Sequence, residues 1–307
     1  MTQSVGPALG LDIGGTSIKA AALEADGSAL TARSDAYARP SADELRQGLL
    51  AVVRRLRDVG ARVGLIRAVG LCAPGIYDPD SRTIVRSVNI PALQGLRLPD
   101  LVREAIDPRL PEPRIVTDAY AAAIDYRLGL AAPIEGRLLA ISLGTGVGGC
   151  VLDDAPSPAE LPRALHVSGT SPGHLGQVEL ALADDDGSVP AGPEGVPGMV
   201  EAYLGLPALV RRYGTDPAAL SERLGSLTDG DVPFRALVRL LRIAHAIYRP
   251  QHIALLGGVG MMLAPALPRV HAAASRNLTS VARPGWTLSA GRSSYHAALG
   301  AARLAIR

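Results

Sequence analysis

Residues 9–19, Leu-Gly-Leu-Asp12-Ile-Gly14-Gly15-Thr16-Ser-Ile-Lys19, constrain the fold more than any other stretch of the chain. Apolar residues run up to one acid. Two glycines and a threonine follow, and a second apolar run begins at Ile18. The order predicts strand, tight turn, strand. Glycine permits positive φ there and lets a ligand approach the backbone. The N–H groups of the turn and the Thr16 hydroxyl offer an anion a seat. Asp12, closing a buried strand, is placed to hold a cation. Phosphate with a cation points to a nucleotide. A plain Gly-Gly hairpin with a strand-end Asp fits the same residues. A Walker A loop does not, because it ends in Gly-Lys-Ser/Thr and opens a helix.

The chain is long enough, at 307 residues, for one large domain or two modest ones. Its 48% hydrophobic content makes it globular. A net charge of +2 gives no argument for nucleic acid or an anionic membrane as partner. The basic residues are arginines, with Lys19 the one lysine. Cys72 and Cys150 both lie in apolar runs, which predicts buried free thiols and fits a reducing cytoplasm. Eight residues without a basic region precede the first strand, so no signal peptide is expected. No apolar run reaches the ~18–20 residues of a membrane span.

Strands are expected at 9–13, 18–23 and 28–36. Ser41 and Glu44 form a capping box that opens a helix carrying Leu45, Leu49, Val52, Val53 and Leu56 at helical spacing. A buried strand at 67–73 ends in Pro74-Gly75, and a polar loop or hairpin covers 76–91. A short helix at 98–106 and a strand at 114–117 lead to Asp118 and an Ala-rich helix, 119–130. A strand at 137–143, a glycine turn at 144–149 and a strand at 150–153 repeat the opening pattern. Gly144, Gly146 and Gly149 have dinucleotide spacing, but a strand follows where a helix is needed, which excludes a nicotinamide site. Residues 154–198 are rich in Pro, Gly and Asp, and Asp184-Asp-Asp-Gly187 reads as a solvated turn. Helices follow at 198–213, 217–224 and 233–248. A strand at 252–256 runs into Gly257-Gly258, and a helix at 262–274, a strand at 286–290 and a helix at 294–306 complete the chain.

Three glycine turns therefore follow apolar strands, in both halves. Asp12-Ile-Gly-Gly-Thr16 resembles the first phosphate motif of the actin/hexokinase/Hsp70 ATPase superfamily. Leu143-Gly-Thr-Gly-Val-Gly-Gly149 resembles the second, and Leu255-Leu-Gly-Gly258-Val the adenosine motif. Within that superfamily the chain resembles the ROK family of sugar kinases and sugar-responsive repressors. The likeness extends to Ala73-Pro-Gly75, Ser87-Val-Asn89-Ile-Pro91, Val116-Thr-Asp118-Ala-Tyr-Ala-Ala and Gly198-Met-Val-Glu201-Ala-Tyr203. The resemblance implies an α/β fold of two ribonuclease H-like (actin-like ATPase) domains with a cleft between them. These are 1–117, completed by helix 294–307, and 118–293. The repressors carry a DNA-binding unit ahead of a first strand, and here only about eight residues precede it.

What the resemblance implies chemically is phosphoryl transfer from ATP with Mg²⁺. Asp118 becomes the general base on the sugar hydroxyl, although the same residue also reads as the N-cap of its helix. Asn89 and Gly75 become sugar contacts. Asp12 positions the Mg²⁺–phosphate group. Gly14, Gly15, Thr16, Lys19, Gly144, Thr145 and Gly146 hold phosphates, and Gly257 and Gly258 lie against the adenosine. A homodimer is expected by the same analogy.

One region departs from the family. The sugar kinases carry Gly-Glu-x-Gly-His, a three-cysteine zinc loop, and then Glu. Here the first part is Gly173-His174-Leu175-Gly176-Gln177, and the loop aligns with 192–199, which has no cysteine. All four zinc ligands are replaced, so no zinc is expected. His174 and Gln177 stand where Glu and His would meet the far edge of a hexose, and Glu201 is kept. Each of the two also reads as a plain loop residue. A carboxylate only accepts hydrogen bonds, whereas neutral His and Gln also donate. The substrate is therefore expected to be a hexose-like sugar, amino sugar or cyclitol, phosphorylated on a primary hydroxyl. A non-catalytic sugar or nucleotide sensor is the alternative, and an acyl-phosphate-forming kinase of the same superfamily a third.

Overall fold

The computed structural model describes residues 7–132, 134–155, 160–167, 174–276, 278–279 and 285–307. The chain divides into two compact units, 1–126 with 295–307, and 127–294.

In the first unit, β1 (Ala8–Ile13), β2 (Ile18–Leu23) and β3 (Ala29–Arg33) form an antiparallel meander. Strands β4 (Ala68–Cys72) and β7 (Arg114–Val116) extend the sheet in parallel, giving the order β3-β2-β1-β4-β7. β1 is buried at every residue because helices cover both faces. On one side lies α1 (Ala42–Asp58), which buries Leu45, Leu49, Val52, Val53 and Leu56. Its capping box forms as expected: Glu44 N–H donates to Ser41 Oγ, and Ser41 N–H to Glu44 Oε2. The closing helix, α10 (His296–Ala305), packs on β1 and β4. Between β4 and β7 come a hairpin, β5 (Ile76–Asp78) with β6 (Thr83–Arg86), and helix α2 (Leu98–Ala105). Helix α3 (Asp118–Leu128) follows β7.

The second unit repeats this plan. β8 (Leu138–Leu143), β9 (Val147–Leu152) and β10 (Ala164–Val167) are antiparallel. β11 (His252–Leu256) and β12 (Thr287–Ala290) run parallel to β8, in the order β10-β9-β8-β11-β12. Its core adds α4 (Glu201–Leu204), α5 (Leu206–Tyr213), α6 (Pro217–Gly225), α7 (Val232–Tyr248), α8 (Gly257–Met262) and α9 (Leu267–Arg276). Among the described residues no helix is long and apolar enough to cross a membrane.

Several sequence expectations change. The second glycine turn is only 144–146, because Gly148 and Gly149 pair within β9 opposite Ser142 and Ile141. Strand β10 was hidden in the Pro/Gly-rich stretch. The helix expected at 198–213 breaks at Gly205, where Pro207 starts a new first turn. The helix expected at 262–274 is realised as α9, Leu267–Arg276, and a separate short helix, α8, starts at Gly257 directly after β11. The two compact units divide within α3, between residues 126 and 127.

Candidate active site

Strand register sets the geometry of the first unit. Asp12 on β1 pairs with Cys72 on β4, which pairs with Val116 on β7. The three parallel strands thus end side by side. Beyond them come the first glycine turn, Gly75 and Asp118. Ligands of open α/β sheets bind outside the carboxyl ends of such strands. Cys72 reports how close the acids are. Burial comes first, then the carboxylates of Asp12 and Asp118, in pushing its thiol well above the usual range, with Lys19 opposing them. Cys72 and Cys150 are both buried free thiols.

Asp12 is 6% exposed, and its Oδ2 receives Lys19 Nζ at 3.5 Å. The two face each other across β1 and β2, in register. The turn between them is closed by Gly14 N–H donating to Ser17 O at 3.1 Å. Neither Gly14 nor Gly15 takes a left-handed φ. The torsional part of the expected reason is thus corrected; a Cβ on Gly14 would lie 3.1 Å from Ser17 O, a tight contact that favours glycine there. Thr16, half-buried, leaves its hydroxyl without a partner among the described residues.

Asp118 is the first residue of α3, and the capping role belongs to its neighbour. Thr117 Oγ1 accepts from Tyr120 N–H at 3.4 Å, and Thr117 O from Ala121 N–H. Asp118 Oδ1 accepts from Ala119 N–H at 2.8 Å. Gly75 has φ 122° and turns the chain into the β5–β6 hairpin. At the other end of that hairpin Ser87 Oγ accepts from Ile90 N–H. Between them the half-buried Asn89 carboxamide meets no partner among the described residues.

In the second unit the expected residues gather around the 144–146 turn. Gly144 N–H donates to Gly146 O, and Gly144 O accepts from Leu206 N–H at 2.8 Å. Glu201 Oε1 accepts from Val147 N–H at 2.8 Å, and Gln177 Nε2 reaches Glu201 Oε2 at 3.5 Å. His174 Nδ1 accepts from Gly176 N–H at 3.2 Å. That bond puts the proton of the neutral ring on Nε2, so His174 offers a donor to its surroundings. Gly257 has φ 81°, and a Cβ there would meet Leu143 O at 2.4 Å. The ends of β8 and β11 are pressed together at this point, while the space around Gly258 is open. Gly173, the first residue of the departing motif, lies outside the described residues. Among the described residues no three His, Cys, Asp or Glu side chains group as metal ligands.

The ROK family model matches residues 8–307. The chain belongs to the ROK family. No curated protein matches it. Among solved structures, the ROK chain is similar to a ROK family glucokinase from Streptomyces griseus in complex with glucose and AMPPNP. That match has 26% identity and a TM-score of 0.69, covering 98% of this chain and 99% of that one. A ROK hexokinase from Thermus thermophilus gives 25% identity and a TM-score of 0.68, covering 97% of each. A ROK family transcriptional regulator, homolog of the E. coli MLC protein, shares the fold at 16% identity and a TM-score of 0.64, over 98% of this chain and 78% of that one. The fold of the ROK chain is thus α/β with mixed sheets, as in the actin-like ATPase fold of the ROK hexokinases.

Three partnerships in the first unit carry no sequence signal. Tyr37 binds the first turn, its N–H donating to Thr16 O and its hydroxyl to Gly14 O. Arg33, in register with Lys19, donates from Nε to Ser17 Oγ at 2.8 Å. Asp125 on α3 meets His296 and Arg303 on α10. Each is a partnership between distant residues of unremarkable type.

Proposed function

We propose that this ROK protein is an ATP-dependent kinase that phosphorylates a primary hydroxyl of a hexose-like substrate. One observation carries the reading: Asp12 on β1 and Asp118, two residues past the end of β7, lie at the same end of the parallel strands β1, β4 and β7. Asp118 is the general base. Asn89 and Gly75 bind the sugar on the hydroxyl side, and His174, Gln177 and Glu201 bind its far edge. Thr16, Lys19, Thr145 and the backbone of Gly15 and Gly146 hold phosphate, with Gly257 and Gly258 against the adenosine, while the Gly14 and Gly144 N–H groups close their own turns.

Asp12 suits Mg²⁺. Its ion pair to Lys19 is long, which leaves carboxylate capacity for a hydrated cation, and Mg²⁺ uses one or two carboxylates beside its waters and phosphates. Bound there, Mg²⁺ neutralises phosphate charge. The chain's own work is to orient: Asp12 fixes Lys19, and Asp118 accepts the proton of the attacking hydroxyl.

The test is a panel of aldohexoses, amino sugars and cyclitols with ATP and Mg²⁺, read by ADP release and by calorimetric binding. Turnover of at least one member is expected. Asp118→Asn is expected to lower kcat by roughly 10²–10⁴ with nucleotide binding retained. A wild-type rate in that variant refutes the base.

A sensor is the second reading. The observation behind it is that both Glu201 oxygens are already engaged, by Val147 and Gln177, and that His174 donates where the family's kinases present a carboxylate. Sugar binding without turnover across the panel selects it. The kinase reading carries a homodimer and a cytoplasmic setting with it, and light scattering of the purified chain checks the first.

A further inference from the structure

Helix α3 is an unusual mount for an acid that must be held to a fraction of an ångström. Its buried residues are chiefly Ala119, Ala121, Ala122 and Ala123. Opposite them α10 presents Gly300, where a Cβ would lie 1.8 Å from Ala121 O. Backbones this close, faced with methyl groups, have no side-chain ridges to lock the helices along their axes. A slip of one residue moves a helix by about 1.5 Å.

Directional contacts nonetheless cross this smooth interface. Asp125 is 4% exposed and accepts two hydrogen bonds from α10, from His296 Nδ1 and from Arg303 Nε, both at 2.7 Å. His296 and Arg303 are seven residues apart on one face of α10, with Gly300 between them. Asp118 and Asp125 are likewise seven apart on α3, about 10.5 Å along the axis and within about 20° of the same face. A carboxylate held from two directions fixes both the axial position and the rotation of its helix. Tyr126 adds an edge contact to the His296 ring, 5.8 Å between centroids.

We propose that Asp125 is a positioning residue: by bonding His296 and Arg303 it sets the register of α3 on α10, and so the place of Asp118. This rests on the kinase reading of Asp118. A misplacement near 1 Å at the reacting atoms costs on the order of 10²-fold in rate.

The test uses the full chain with the best substrate of the sugar panel. Asp125→Ala removes both bonds. Asp125→Asn keeps the shape and the bond from Arg303, which its Oδ1 accepts. The alanine variant is expected to lose about 10–100-fold in kcat, with both KM values within about twofold of wild type and a cooperative melt. The asparagine variant is expected to recover to within about threefold of the wild-type kcat. A part that is only structural moves the melting temperature and leaves kcat of the folded enzyme alone.

An alanine variant that folds and keeps the wild-type kcat overturns the proposal, as does equal loss in both variants. Should the alanine variant not fold, Arg303→Met, at the more exposed end of the cluster, takes its place. A loss of about 3–10-fold in kcat at constant KM is then expected, and an unchanged kcat overturns the role. A wild-type chain that turns over no sugar overturns the kinase reading itself, and this role with it.

Discussion

The phenol of Tyr37 donates a 2.6 Å hydrogen bond to the carbonyl of Gly14. The same residue's N–H donates to Thr16 O, so the chain leaving β3 grips the first glycine turn at two points. Burial, then the charge of Asp12, pushes the phenol above its usual range, which keeps it a donor. Tyr37→Phe removes one bond and leaves the Gly14 carbonyl unsatisfied. A bond of this kind contributes about 0.5–1.5 kcal/mol, so the ATP KM is expected to rise about 2–12-fold. Steady-state kinetics at saturating sugar measure it, and an unchanged KM for ATP removes Tyr37 from the site.

Glu201 grips the second turn through Val147 N–H. Glu201→Ala leaves that N–H without its charged acceptor, a loss of about 1.5–3 kcal/mol, and about 10–150-fold in kcat/KM is expected to go with it. Glu201→Gln keeps an oxygen for Val147 and is expected to lose less. The ranking alanine below glutamine below wild type is the decisive result.

Gly257 combines a left-handed φ with a Cβ position already occupied by the Leu143 carbonyl. Gly257→Ala therefore strains the torsion and forces the ends of β8 and β11 apart. A destabilisation of at least about 1–3 kcal/mol is expected by urea titration. A denaturation midpoint equal to wild type means the strands part without cost.

Acid tolerance depends on histidines far from the glycine turns. His245, 1% exposed, has no hydrogen-bond partner on either ring nitrogen among the described residues and stacks edge-on against Trp286, 4.4 Å between centroids. Burial, helped by the nearby His271, pushes it down to about 4. Burial pushes His252 down to about 4 as well. In the unfolded chain both bind protons near pH 6.5. Below that pH the unfolded state takes up protons that the folded state refuses, so stability falls from pH 6.5 towards pH 4. The slope from His245 alone reaches at most about 1.4 kcal/mol per pH unit. Urea midpoints between pH 7 and 4.5 test this, and His245→Leu is expected to flatten the slope.

Much of the fold was legible because it is written locally. The Ser41–Glu44 capping box, the spacing of Leu45, Leu49, Val52, Val53 and Leu56, and the apolar runs into Gly14 and Gly144 each fix an element from neighbouring residues. Strand β10 was not legible. Its burial runs exposed, exposed, buried, half-buried, and a register shift between Ala164 and His166 breaks any alternation, so pairing with β9 alone defines it. The break at Gly205 was masked by helical spacing on both sides. At the site, Asp12 and Asp118 could be picked out as strand-end acids. Tyr37 and Asp125 could not, since the first acts on a carbonyl 23 residues away and the second on a ring 171 residues away.

A chain that carries 31 basic residues and a single lysine has one side-chain amine, and that amine lies 3.5 Å from Asp12 beside the first glycine turn. Amine-directed chemistry on this protein therefore has one side-chain address. An acylating probe reports on the first glycine turn without any engineered handle, and protection of Lys19 by an added nucleotide can be read as the loss of one label.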